Sequence, residues 1–366
     1  VSCSAHTPAF WTLPSHASYF TGLTVAEHGL LAFGQKLPDD VPTLAEQMAE
    51  RGYRTAMVTG NPLLQKVTGL QRGFEIVQRR TRRAAGVAPI SNAVRQVLKA
   101  VQPDEKLFLF VNIFDAHDPY PAIPEGVDWV EPQSRFLLFK ERKDLEPLGT
   151  YTDFTRGRMP EGESADLQKR VRNGYDYGIF KADAVLDGVL EVLASNPRSQ
   201  EPSRLLVTSD HGEFLGEHER LRHNCCVYEP VTRVPLLFKD TSLDVQPDLS
   251  GNLSALWAHH LVKDGKLPDD AGTPTAIGLS QDRDQVQVAM WASPTDKVIA
   301  DGTLQQYDLV ADPGEEAPLP LQRGHPLNAE LTALANWVEE KHSGRAEAVD
   351  PEMTKLLEEL GYVDPE

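Results

Sequence analysis

The strongest constraint on the fold is an alternation of short apolar runs with helical periods. RTAMVTGN (54–61), KLFLFVNIFDAH (106–117), RLLVTSDHG (204–212) and RVPLLFK (233–239) read as β-strands. All but the first are nearly continuous in apolar residues, the pattern of strands covered on both faces. Helices stand between them. PTLAEQMAERG (42–52) carries Thr43 and Glu46 in capping-box spacing, with Gly52 as a stop. Residues 91–101 and 166–195 also have helical period. This order predicts an α/β fold, a mostly parallel sheet flanked by helices. The carboxyl ends of 106–114 and 204–209 are then expected side by side. Segment 118–160 is rich in Pro, Gly and charge and reads as a long excursion over one face, of the kind that often carries function. After about residue 280 the texture changes. QVQVAMWA, DKVIADG and LQQYDLVAD look like short antiparallel strands, followed by helices near 327–342 and 351–360. Two units are expected: a large α/β domain over 1–280 and a small α+β C-terminal subdomain over 281–366.

Bulk properties exclude several functions. A net charge of −18, with pI near 5.1, disfavours nucleic acid as a partner. The three cysteines, Cys3, Cys225 and Cys226, have neither zinc-type spacing nor a disulfide framework. No apolar run approaches the roughly 20 residues that span a bilayer. No signal-peptide pattern is visible, so the expected location is the cytoplasm.

Two strands end in polar clusters, Asp115-Ala-His117-Asp118 and Ser209-Asp210-His211-Gly212-Glu213. In open α/β sheets ligands bind outside the carboxyl ends of the strands. Asp210 and His211 reach one point only where the backbone turns, which Gly212 permits. A carboxylate plus an imidazole suits one divalent metal ion, Mn2+ or Zn2+ before Ca2+ or Mg2+. The plainer alternative is a solvated turn. In FWTLPSHASYFTGL, Thr12 has two readings as well. It is a good helix N-cap, with Pro14 suited to a first turn. It also lies where a helix N-terminus favours a phosphate or sulfate oxyanion, and a metal touching its oxygen would make it a nucleophile. His211, His218 and His223 fall within thirteen residues, and His117 closes another strand. A charged ester needs such positive partners and a proton donor for its leaving oxygen.

In order along the chain, TLPSHASYFTGL, DAHDPYP, TSDHGEFLGEH, YEPVTRVPLLF and LQQYDLVADPGEE resemble the sulfatase-like branch of the alkaline phosphatase superfamily. The closing LLEELGYV resembles the end of many such proteins. The resemblance implies a phosphatase-like catalytic domain with a small C-terminal domain, at least one divalent metal, and a nucleophile that attacks sulfur or phosphorus. Thr12 falls on the nucleophile, which also touches the metal. Asp210 and His211 fall on metal ligands, and His117 on the histidine at the ester or leaving group. His223 falls where relatives bind the substrate's anionic oxygens. His218 and Asn61 are further substrate-binding candidates.

The sequence departs from the family pattern in two places. Ordinary sulfatases carry Cys or Ser in Cys/Ser-x-Pro-x-Arg, which becomes formylglycine. Here Thr12 cannot become formylglycine, and His16 stands in place of the Arg. Relatives with Thr are usually phosphodiesterases or phospho-group transferases. The family also opens with a strand that ends in a metal-binding Asp pair. A strand with its crossover takes roughly 30 or more residues, so the sequence is expected to be incomplete before Val1. The leading expectation is a metal-dependent hydrolase of phosphate esters or diesters, acting on a small anionic ester, on a glycan or lipid in one reading. The alternatives are sulfate ester hydrolysis without formylglycine, phospho-group transfer, and an inactive anion-binding homologue.

Overall fold

The computed structural model describes residues 2–32, 34–79, 87–133, 153–223, 226–269, 272–280, 285–321 and 324–343. The chain opens with β1 (Ser2–His6), α1 (Thr12–Thr21), α2 (Val25–His28), α3 (Leu44–Glu50), β2 (Tyr53–Thr59) and β3 (Ile76–Arg79). It continues with α4 (Val87–Ala100), β4 (Lys106–Asn112), the long α5 (Glu161–Ala194) and β5 (Arg204–Thr208). Then come the hairpin β6 (Phe214–Leu215) and β7 (Leu221–Arg222), α6 (Glu229–Thr232), β8 (Arg233–Asp240) and α7 (Ala258–Asp264). The expected capping box is present: Thr43 Oγ1 accepts from the Glu46 amide at 3.2 Å, and Glu46 Oε2 accepts from the Thr43 amide at 2.8 Å.

The fold is α/β. β3, β2 and β4 form a parallel sheet, with Thr59 opposite Asn112 at the carboxyl ends. Its one face packs on α4 and α5 through Ala56, Val58, Ile90, Val94, Val97, Val185 and Val189. β1, β8 and β5 form a second sheet, in which β8 runs antiparallel to both neighbours. Apolar continuity does not encode direction, and β8 in fact alternates, burying Val234, Leu236 and Phe238 while the residues between them are exposed. β5 hydrogen-bonds to β8, not to β4, so the ends of 106–114 and 204–209 are not neighbours in one sheet. They still converge: the rings of His117 and His211 lie 6.4 Å apart.

Every residue of α1 is buried. A helix so enclosed must satisfy its own polar side chains. Ser15 Oγ donates to the Ala9 carbonyl at 3.1 Å and Thr21 Oγ1 to the Ala17 carbonyl at 2.7 Å. Ser18 meets His28 of α2 at 3.0 Å. Leu13, Ala17 and Phe20 join the largest apolar cluster.

A C-terminal sheet follows, β9 (Thr275–Ser280), β10 (Gln285–Ser293), β11 (Asp296–Asp301), β12 (Thr303–Asp308) and β13 (Leu319–Pro320), all antiparallel, with α8 (Asn328–Ser343) after it. The helix expected over 351–360 lies outside the described residues. Among the described residues no helix is long and apolar enough to cross a membrane.

The sheet is fixed to the rest by a buried charge cluster. Lys297 Nζ, with no exposed surface, lies 3.2 Å from Glu229 Oε1 and 2.7 Å from Glu315 Oε1. Trp291 Nε1 donates to Glu229 Oε1 at 3.0 Å, and His6 Nε2 stands 3.5 Å from Glu229 Oε2. Burial opposes the Glu229 charge, but Lys297 and His6 outweigh it and hold this carboxyl well below the usual range. Removing one partner of such a cluster strands the others. Lys297→Met is therefore expected to cost about 3–5 kcal/mol in urea unfolding. A loss under about 1 kcal/mol would show that the cluster contributes little.

His28 gives a second expectation. The Leu30 amide donates to its Nδ1 at 3.1 Å, so the neutral ring carries its proton on Nε2, toward Ser18. Burial lowers its pKa from 6.5 to about 4. The unfolded chain takes up a proton below pH 6.5 that the folded ring refuses until about pH 4, so this group's stability contribution is full above 6.5 and is lost as the pH falls through that window. His28→Gln should flatten the decline of unfolding free energy between those two pH values by up to about 3 kcal/mol. An unchanged slope would contradict this.

Candidate active site

The site is assembled from α1, the turn after β5, the loop after β4 and the β6–β7 hairpin. Thr12 is the first residue of α1, and the N-cap is Trp11, at φ −157° with no side-chain cap. Thr12 therefore does not cap this helix. Its Oγ1 instead stands 3.5 Å from His211 Nε2.

The Ser209–Gly212 turn is gripped from both sides. Tyr19 Oη of α1 donates to the Ser209 carbonyl at 2.8 Å, and Thr7 Oγ1 donates to the Asp210 carbonyl at 2.5 Å. On the other side the Gly212 amide donates to the Val231 carbonyl at 2.7 Å and the Glu213 amide to the Pro230 carbonyl at 3.1 Å. A Cβ on residue 212 would lie 2.1 Å from the Pro230 oxygen, so only glycine lets α6 come this close. Gly178 does the same for α5, where a Cβ would lie 2.7 Å from the Asp115 carbonyl oxygen in the segment that leads to His117.

Four imidazoles gather here with one orientation rule. A carbonyl only accepts, so a ring nitrogen bonded to one carries the proton. His211 Nδ1 donates to the Gly212 carbonyl at 2.8 Å, His117 Nδ1 to the Asp118 carbonyl at 2.5 Å, and His16 Nδ1 to the Thr12 carbonyl at 2.9 Å. Each neutral ring is left with a lone pair on Nε2. His223 Nδ1 lies 3.0 Å from Glu213 Oε1. The His211 and His223 rings stack at 3.9 Å, and His117 meets His223 nearly edge-on at 5.2 Å. His16 sits among Tyr19, Phe20 and Phe110, at ring separations of 6.2, 6.0 and 5.9 Å.

Electrostatics follow from this crowding. Burial would raise the Asp210 carboxyl, but His211, His16 and His223 outweigh it and hold it at about 2. Its Oδ2 is 3.4 Å from His16 Nδ1 and 3.5 Å from His211 Nε2. Burial lowers His16 despite Asp210, and lowers His223 well below the ordinary range. Burial also pushes Glu213 up to about 7, against the pull of His211 and Arg222.

The donor set can be tested against a divalent ion. Ligands about 2.0–2.2 Å from one centre lie roughly 3–3.6 Å from each other. Asp210 Oδ2 and His211 Nε2, and His211 Nε2 and Thr12 Oγ1, are each separated by 3.5 Å. These atoms fit one side of a metal site. Among the described residues no group of three or more His, Cys, Asp or Glu is placed to hold a metal.

Six of the eight candidate residues thus fall in one place: Thr12, His16, His117, Asp210, His211 and His223. The other two do not join them through any hydrogen bond, ion pair or ring contact among the described residues. Asn61 Oδ1 accepts from the Leu63 amide at 2.9 Å, closing a local turn. The His218 ring stacks on Tyr228 at 3.9 Å, and its backbone is left-handed at φ 52°. The residue lies in the bend between β6 and β7. Sequence reasoning gave no role to Glu213, Tyr19, Thr7 or the buried Arg222–Asp118 pair, whose atoms are 3.5 Å apart. For Glu213 a signal existed, since a hairpin turning at Gly216–Glu219 sets 213 opposite 223.

The family model for sulfatases matches residues 3–246. An uncharacterized sulfatase of Escherichia coli (strain K12), YidJ, is 26% identical over 157 residues, a match spanning 41% of this chain and 30% of that protein. Among solved structures, one determined in complex with its substrate D-glucosamine-2-N,6-O-disulfate superposes with a TM-score of 0.62 at 15% identity, covering 94% of this chain and 90% of that one. The phosphonate monoester hydrolase of Agrobacterium radiobacter gives a TM-score of 0.61 at 14% identity, with 93% and 88% covered. With the family model spanning most of its length and the same fold in both solved structures, the chain belongs to the sulfatase family.

Proposed function

We propose that this chain is a metal-dependent ester hydrolase that prefers phosphate esters and uses Thr12 as its nucleophile. The observation that carries the reading is the place of Thr12 Oγ1, in the first turn of α1 and 3.5 Å from His211 Nε2. First-turn amides have no intrahelical acceptor and favour an anion. Asp210, His211 and Thr12 would hold one divalent ion, Mn2+ or Zn2+ by their donor chemistry. When bound, that ion would supply positive charge to the ester and acidity to the Thr12 hydroxyl.

The residues then divide the work. Thr12 Oγ1 forms a bond to phosphorus as the bond to the leaving oxygen breaks. The Thr12 hydroxyl proton passes to solvent, and His117, when protonated on both ring nitrogens, gives one to the leaving oxygen and takes one back from the water of the next step. Water then displaces Thr12 from the phosphothreonine, regenerating the hydroxyl and releasing phosphate. His223 and His16 face the anionic oxygens. A threonine Cβ bears a methyl, so its oxidation would give a ketone rather than formylglycine, which is why the unmodified hydroxyl is the group assigned to attack.

The second reading is sulfate ester hydrolysis on a glycan. It is favoured by the disulfated glucosamine held by one structure of the same fold. The phosphonate monoester hydrolase of like fold favours the phosphoryl reading. Phosphoryl oxygens carry more negative charge than those of a sulfate monoester, so cationic partners gain more from them.

Two measurements test this in the full-length chain. Thr12→Ala should lower turnover of 4-nitrophenyl phosphate or its bis-ester by roughly three orders of magnitude or more, with little change in unfolding midpoint. Wild type should turn these over faster than 4-nitrophenyl sulfate. An unaffected rate in Thr12→Ala would remove the nucleophile, and a clear sulfate preference would remove the phosphoryl assignment. Asp210→Ala should lose bound Mn2+ or Zn2+ in elemental analysis after dialysis, because a carboxylate ligand supplies both charge and geometry. Equal metal content in both proteins would contradict the metal role.

A further inference from the structure

We infer that Glu213 is a positioning residue that sets the orientation of His223, and that the β6–β7 hairpin exists at this point in the chain to make that pair. This rests on the proposed place of His223 at the anionic oxygens.

The hairpin register pairs Phe214 with Arg222 and Leu215 with Leu221. Extending it by one step sets Glu213 opposite His223, and directly opposed residues on a hairpin share a face. The side chains meet there, with Glu213 Oε1 3.0 Å from His223 Nδ1 and both nearly sealed from solvent, at 4% and 2% exposure. When Glu213 is ionised it can only accept, so Nδ1 carries the proton and Nε2 is the atom left for the site. Ring rotation about the Cβ–Cγ bond would exchange Nδ1 for a carbon and break this bond. The neighbouring rings reinforce one orientation, with His211 stacked at 3.9 Å and His117 nearly edge-on at 5.2 Å.

The hairpin end is held from two further directions. The Glu213 amide is fixed on the Pro230 carbonyl at 3.1 Å. Arg222 Nη2 lies 3.5 Å from Asp118 Oδ2, in a pair with 6% and 2% side-chain exposure, which ties the hairpin to the residue after His117. Arg222 adopts a left-handed backbone at φ 72°, a conformation unfavourable for a non-glycine residue that persists only where the surroundings impose it. The twist is at the last residue of the register, next to His223. The same carboxylate is not needed by the backbone of its own turn, which the Gly212 and Glu213 amides already close.

The test compares Glu213→Leu, close in size but without an acceptor, with Glu213→Gln, whose amide oxygen still accepts. Glu213→Leu should lower kcat/KM for 4-nitrophenyl phosphate about tenfold to a hundredfold, the loss usual when the partner of an active imidazole is removed. Glu213→Gln should keep most of the rate. In a His223→Ala background the Glu213→Leu loss should all but vanish, because a residue acting through His223 has nothing left to act on. Independently of turnover, side-chain nitrogen NMR of the wild type should show His223 protonated at Nδ1, and Glu213→Leu should shift that signal. The inference is overturned by a loss below twofold, by equal losses in Gln and Leu, by a loss as large without His223 as with it, or by a His223 resonance that Glu213→Leu leaves unmoved. The NMR arm reads the pair even if no ester is hydrolysed, so failure of the hydrolase reading is separate from failure of this one.

Discussion

Two hydroxyls carry the architecture of the site. Tyr19 Oη and Thr7 Oγ1 donate to the carbonyls of Ser209 and Asp210, at 2.8 and 2.5 Å, and so fix the turn after β5 against the helix that presents Thr12. Without them the 3.5 Å approach of Thr12 Oγ1 to His211 Nε2 would depend on two segments almost two hundred residues apart in sequence. The bonds are enforced by burial. α1 is enclosed on every side, and a buried hydroxyl without a partner costs about 1–3 kcal/mol. The helix can be this polar only because each of its polar groups is answered, and two of the answers are the backbone of the Asp210–His211 turn. From the far side the carbonyls of Pro230 and Val231 complete the grip, and the adjacent Glu229 is anchored through Lys297 to the C-terminal sheet. Rigidity at the site therefore draws on the whole molecule.

The chain carries a net charge of −18, yet four imidazoles gather in this cluster. Three of the four imidazoles spend Nδ1 on a backbone carbonyl, and the fourth lies against Glu213. Three of these rings hold the Asp210 carboxyl down at about 2, while burial pushes that of Glu213 up to about 7. The two carboxylates sit three residues apart, and environment separates them. One is a candidate metal ligand, and the other faces an imidazole.

Much of this was legible in the sequence because the signals are local. The Thr43–Glu46 box, the strands at 54–61 and 106–117, the antiparallel tail strands and the polar strand ends all depend on near neighbours in the chain. Direction and pairing are not local, which is why β1 was not foreseen and why β8, expected among parallel strands, runs antiparallel to β5 and β1. The apolar run at 204–208 pointed to cover on both faces, yet Leu205 is 38% exposed. For the site, residue type and position within motifs were enough to gather Thr12, His16, His117, Asp210, His211 and His223. Neither His218, in a left-handed bend, nor Asn61, which closes a local turn, makes a hydrogen bond, ion pair or ring contact with those six among the described residues. The supporting hydroxyls of Thr7 and Tyr19 left no mark in the sequence, because any buried helix needs such partners and nothing local says which carbonyl they meet.

The central claim is that an unmodified Thr12 forms a covalent bond to phosphorus. Mass spectrometry of the full-length enzyme, acid-quenched during turnover of 4-nitrophenyl phosphate and digested, tests it most directly. The account predicts a phosphoryl group on the peptide that contains Thr12, localised to that residue and absent when substrate is omitted. A peptide that stays unmodified under conditions where product forms in a burst, or a phosphoryl group found on another residue, would contradict it.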